Sequence, residues 1–295
     1  MSETAERRSM PDEDGATIHL GPNRYGKSAI RLVTVRREPD RHVLRDLTVA
    51  IALEGDFTAA HTTGDNSSVI ATDTMKNIVY AFAREHLTGS IEGFGLVLAR
   101  HFADQEQVAS ARVSIEEHAW DRIATPDGPA PDAFARRGDM TRTAVVTVGD
   151  GGTTVEAGVA DLTVMKTTRS AFSGFPRDDW TTLRETEDRL MATKVAATWR
   201  YRSAELDFDR CFDDVRSTLL ETFAEHHSPS VQASIWIMGE AILERHAELE
   251  EIRMVLPNLH HWLVDLSPFG QENRGEVFVA TREPHGLIEA TVRRG

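Results

Sequence analysis

A chain of 295 residues with 40% hydrophobic content is long enough for one large domain or for two of about 150 residues each. Its formal charge of −14 argues against wrapping a nucleic-acid backbone, although an acidic protein can still carry a locally basic pocket for a small anion. The one cysteine, Cys211, excludes an intrachain disulfide, and no apolar run approaches the roughly 18 residues of a membrane span, so a cytoplasmic protein that avoids membranes is expected.

The polar start, MSETAERRSMPDEDGA, lacks the apolar centre of a secretory signal, and residues 1–16 are expected to form a mobile tail. Gly21–Ser28, GPNRYGKS, satisfies the phosphate-loop pattern G-x-x-x-x-G-K-[ST]. That loop works only where a helix follows it, and the next residues, AIRLVTV, alternate as a strand, so nucleotide hydrolysis is rejected. Strands are expected over 28–37 and 43–55, then helices over 72–87 and 90–104 with apolar residues at helical spacing. Strands return over 107–120 and 141–150, around a Pro/Gly-rich loop at 124–140. The second half repeats this order, with strands at 154–168 and 193–203 and helices at 209–226 and 230–248. Strands then follow at 250–256, 260–266 and 276–282.

Both halves therefore read β-β-α-α-β-β, with domains expected at 17–150 and 151–295. Ser68–Thr72 (SVIAT) echoes Ser230–Ser234 (SVQAS), and each string is expected to open a helix. Antiparallel strands with helices on one face make an α+β fold, whose open sheet edges favour oligomerisation. Cys211 reads as a packing residue. The histidine pairs 226–227 and 260–261 lack metal-ligand spacing, and no metal is expected.

Several motifs in order, Tyr25-Gly26-Lys27, Asp65–Asn77, Phe172–Phe175, Ser228–Ala233 and Leu256–His260, resemble those of urate oxidases over residues 25 to 293. The resemblance implies the tunnelling fold, two ββαα units per chain that close into a barrel on assembly. It also implies oxidation of urate by dioxygen and water to 5-hydroxyisourate and hydrogen peroxide, with no cofactor, by a homotetramer. Arg189 and Gln232 would grip the purine edge, a planar cationic fork beside an amide that donates and accepts. Phe172 would stack on the ring, with Leu183 and Val231 lining the pocket and Asn258 facing dioxygen or water. Lys27, Thr72 and His260 would form a catalytic proton relay, while the Asp73 amide faces the substrate anion at a helix start. Lys27, Thr72, Asp73 and His260 are expected to come from a neighbouring subunit. On residue pattern alone Arg189 sits in a polar, helical-looking stretch, ETEDRLMATK. The alternative function is a purine-binding oligomer without catalysis, for which the Arg189–Gln232–Phe172 clamp would suffice. A tunnelling-fold pterin enzyme is disfavoured, because it needs an acidic anchor for the heterocycle.

Overall fold

The computed structural model describes residues 18–138, 140–281 and 283–295, so the tail expected at 1–16 lies outside the described residues. Alternation builds the first hairpin. Leu47, Val49, Ile51 and Leu53 recur every second residue on β2 (His42–Gly55) and are all buried, while β1 (Tyr25–Arg37) pairs with it antiparallel. The phosphate-loop string is thus strand from Tyr25 onward, with no helix behind it. A short helix α1 (Thr58–Thr62) leads to α2 (Thr72–His86) and α3 (Ile91–Ala103), whose inward faces carry Met75, Val79, Phe94 and Leu98. Strands β3 (Val108–Glu117) and β6 (Thr141–Gly149) follow, separated by a hairpin of β4 (Trp120–Thr125) and β5 (Gly128–Arg136).

The second half repeats the plan with β7 (Gly152–Lys166), β8 (Met191–Tyr201), α4 (Phe208–Glu225), α5 (Val231–Arg245), β9 (Leu249–Leu259) and β12 (Gly286–Arg293). A small hairpin of β10 (His261–Leu263) and β11 (Phe278–Ala280) is inserted between β9 and β12. The order β1-β2-β3-β6-β7-β8-β9-β12 makes one antiparallel eight-stranded sheet, the two halves joined by the β6–β7 hairpin at Gly149 and Gly152. One face is covered by the helices, and the core lies between, around Trp199, Phe94, Phe102 and Leu219. The two outer strands, β1 and β12, each leave one ladder edge unpaired among the described residues.

Four expectations change. Residues 124–140 are largely a hairpin rather than a loop, because β4 and β5 pair only with each other and Pro129 and Pro131 need not donate to a central ladder. The fourth sheet strand of the second half is 286–293, not 276–282, which shrinks to the three residues of β11. Residues 185–190 are irregular rather than helical, with a bend at Glu187 and Asp188, and run into β8. The echoed strings are out of register: they lie 162 residues apart, whereas Thr72 and Val231, which open α2 and α5, lie 159 apart. The structural equivalence is therefore Thr72–Asp73 with Val231–Gln232, the first two residues of each helix.

Candidate active site

The start of α5 is built by short-range polar contacts. The Ser230 hydroxyl accepts from Ala233 N at 3.1 Å, an N-cap that leaves the Val231 and Gln232 amides at the open end of the helix. Val231 is buried and Gln232 exposed. Ser228, two residues before the cap, pairs with a second segment: Ala171 N donates to Ser228 O at 2.7 Å and Ser228 N to Arg169 O at 2.9 Å. Two further bonds fix the rest of that segment. Arg189 N donates to Ser170 O at 2.8 Å, and Phe172 and Thr186 exchange bonds of 2.8 and 3.1 Å. The aromatic, the guanidinium and the start of α5 are thus tied through residues 169–172.

These groups face one cavity of about 730 Å³, lined by Phe172, Leu183, Arg189, Val231, Gln232, Asn258 and His260, the sequence-expected residues, together with others. The Arg189 guanidinium carbon lies 5.3 Å from the centre of the Phe172 ring, which stacks on Phe175 at 5.0 Å. Arg189 has no carboxylate partner among the described residues, and its Nε is buried without a hydrogen-bond partner. Burial pulls the Arg189 pKa below the ordinary guanidinium value. A half-buried cation of this kind is suited to a planar anion that brings its own acceptors.

His260 stacks on Trp262 at 5.2 Å. Burial first, and then the charges of Arg189, His285 and His261, hold its imidazole below the usual histidine value, so at neutral pH it is uncharged and able both to accept and to donate. His260 therefore belongs with the clamp in the same chain, not with Lys27 as expected, because Leu259 at the end of β9 carries it directly into the cavity. Sequence reasoning missed Thr186, Leu190 and Trp262, which also line the cavity. Trp262 was within reach, since period-two spacing from His260 puts the two rings on one side.

Lys27, Thr72 and Asp73 form a second cluster away from this cavity. The Tyr25 hydroxyl accepts from Ile70 N at 2.8 Å and fastens the segment before α2 to β1. Lys76 hydrogen-bonds the Asp73 carboxylate and, with the more distant charge of Lys27, holds it below the usual carboxylate range. Thr72 and Asp73 occupy the first turn of α2, an end that favours anions.

The two clusters sit at opposite corners of the sheet. From β1 to β9 there are six strand intervals, about 29 Å measured along the sheet. The pairing row that starts at Lys27 passes through Ile51, Val113 and Val146 to Val155, and the adjacent row, Glu156–Arg200–Glu251, meets β9 seven residues from Asn258, about 24 Å along the strand.

No group of three His, Cys, Asp or Glu side chains is arranged to hold a metal ion among the described residues, and none of their helices is long and apolar enough to cross a membrane. Cys211 is partly buried on α4, and burial pushes its thiol up to about 11, in keeping with a packing role.

Comparison with known proteins agrees with this geometry. A family model described as Uricase matches residues 23–147 and 155–289. The chain is 48% identical over 295 residues to the uricase of Arthrobacter globiformis, covering 100% of this chain and 94% of that one. It is 38% identical over 288 residues to the uricase of Aspergillus flavus, covering 92% and 95%. The crystal structure of the Arthrobacter globiformis uricase superposes with a TM-score of 0.90 at 49% identity, over 95% of this chain and 96% of that one. With the tandem tunnelling fold, the cavity and these matches together, the chain belongs to the uricase family.

Proposed function

We propose that this chain oxidises urate with dioxygen and water, giving 5-hydroxyisourate and hydrogen peroxide. The observation that carries the reading is the convergence of Phe172, Arg189, Gln232, Asn258 and His260 on one cavity in a member of this family. Urate is a flat anion at neutral pH. Arg189 and Gln232 hold its edge, Phe172 covers one face, and Leu183 and Val231 close the sides. Two electrons and two protons pass from urate and water to dioxygen, and water supplies the oxygen added to the ring. The protein removes and delivers those protons and fixes the partners in place. Lys27 and Thr72 take the proton from one side, and neutral His260 holds the other end of the relay. Asn258 faces dioxygen, and the Asp73 amide faces the anion.

The separation of the two corners supports an assembly in which the clamp of one chain meets Lys27, Thr72 and Asp73 of another. A twofold axis would make two such composite sites per pair, and two pairs would give the homotetramer. Closure of the open β1 and β12 edges into a barrel is the accompanying arrangement.

The test is the loss of urate's ultraviolet absorbance, with stoichiometric peroxide, on adding purified protein in air. Tight urate binding without turnover would leave the purine-binding reading in its place.

A further inference from the structure

Lys166, the last residue of β7, is 6% exposed, and among the described residues no carboxylate pairs with it. Its ammonium donates instead to main-chain carbonyls at the end of α4: Phe223 O at 2.9 Å, Ala224 O at 3.4 Å and His226 O. Arg169 reaches the same helix end, donating to Glu225 O at 2.9 Å and Ala224 O at 2.5 Å. Two cations thus meet the negative end of an 18-residue helix. A buried ammonium without a carboxylate partner is costly even when carbonyls accept its protons, and an apolar side chain would fill the same space at lower cost. What the charge accomplishes lies in the bonds around it.

The turn that Lys166 grips continues through a chain of hydrogen bonds. His226 Nδ1 lies 2.7 Å from Thr222 O, and because a carbonyl only accepts, Nδ1 carries the proton. Nε2 of the neutral ring then accepts from the Ser234 hydroxyl at 2.8 Å, and the Ser234 and Ser228 hydroxyl oxygens lie 2.8 Å apart, in hydrogen-bond contact. Burial first, and the nearby charges of Lys166, Arg169 and His227, hold His226 below the ordinary imidazole value and so in this neutral form. Ser228 pairs with residues 169–171, whose next residue is Phe172, and Ser234 lies in the first turn of α5 beside Val231 and Gln232.

We propose that Lys166 is a positioning residue for the urate clamp: by gripping the α4–α5 turn at the end of β7, it fixes Gln232 on α5 relative to Phe172 and Arg189. The inference rests on the cavity being the urate site. Lys166 touches no substrate and acts through the His226–Ser234–Ser228 chain.

The test is titration of urate into the full-length assembled protein without oxygen, which reads Kd apart from turnover, with steady-state kinetics in air alongside. Lys166→Met keeps the bulk and removes the donors. It is expected to raise the urate Kd and KM at least about tenfold while kcat changes less than about threefold, the signature of lost uniform binding. A Kd within twofold of the parent protein would overturn the proposal. So would a loss confined to the number of active sites at unchanged affinity. If Lys166→Met fails to fold, Ser234→Ala decides by the same two readings, because it cuts the chain between His226 and Ser228. Failure of the parent protein itself to bind urate would instead overturn the reading of the cavity.

Discussion

Arg189 is the residue where the pattern of the chain misleads most and the local geometry is most informative. Surrounded by Glu185, Glu187 and Asp188, it reads as a solvated surface cation, and only the resemblance of the whole motif set marks it out. The structure brings it inward because Arg189 N is tied to Ser170 O, which turns the side chain over Phe172 with no acidic partner in reach. Arg189→Gln should therefore weaken urate binding by about 2–3 kcal/mol, the range for a charge-assisted hydrogen bond, which is roughly 30- to 150-fold in Kd. Its melting temperature should hardly move, since the guanidinium contributes no ion pair to the fold. An unchanged anaerobic Kd would remove Arg189 from the clamp. Gln232 and Phe172 were equally unreadable as single residues. A first-turn glutamine and an aromatic near a glycine are ordinary features, and their meaning lies in the one cavity that both line although far apart in the chain.

At the scale of elements, legibility followed the strength of the alternation. β2 and α2 show clean apolar periodicity and appear in the structure within a residue or two of the expected bounds. β12 buries Val292 and half-buries Ile288 but exposes most of its length, so its edge position left little signal. The β4–β5 hairpin was hidden by its own prolines, which an isolated ribbon tolerates and a central strand does not. The glycine that matters most for positioning Lys27 is Gly26. A Cβ there would lie 1.8 Å from the Ile51 carbonyl oxygen, inside the β1–β2 ladder and next to Lys27. Gly26→Ala should cost at least about 3 kcal/mol, at the upper end for overpacking, because the obstacle is backbone. Amides of β1 should then exchange hydrogen faster than those of β3. Equal protection in parent and variant would show that the ladder absorbs the methyl group.

Besides the shared sheet, the two halves meet at an ionic junction, buried at Glu92 and open to solvent at Asp209, that the sequence did not reveal. Glu92 on α3 is fully buried and bonds Arg142 of β6 at 2.7 Å, which also bonds Asp209 of α4 at 2.7 Å. Tyr201 of β8 is a further titratable group at this junction. Burial pushes the Glu92 carboxyl from 4.5 up to about 7, because one guanidinium shared with Asp209 does not offset the loss of water. The folded state therefore holds a proton that the unfolded chain releases. This contribution to stability is complete below about pH 4.5 and is lost as pH rises to about 7, on the order of 3 kcal/mol. Glu92→Gln should remove that slope and become more stable relative to the parent as pH rises from 5 to 8. Parallel melting curves across that range would contradict the assignment. Assembly offers a separate test. Arg189→Ala and Lys27→Ala proteins should each be nearly inactive, and mixed assemblies refolded from both should recover a fraction of parental activity. Each mixed pair then holds one intact composite site and one doubly defective site. Verified mixed assemblies no more active than their parents would place both clusters in separate roles.

The match between the first residues of α2 and α5 has a consequence for how such a site can arise. Thr72–Asp73 and Val231–Gln232 hold the same positions on equivalent helices, yet in the proposed site the first pair would serve proton transfer and the anion, and the second the purine edge and the pocket wall. Copies of a single unit related by a twofold axis present identical helix starts to each other, so both sides of the ligand would meet the same groups. Urate has two unlike edges and needs unlike partners. Carrying two units on one chain lets the helix starts diverge in sequence while the assembly stays symmetric. In the proposed assembly the division of labour is thus written within each chain, and every clamp that is made brings with it Lys27 and Thr72 for a neighbour.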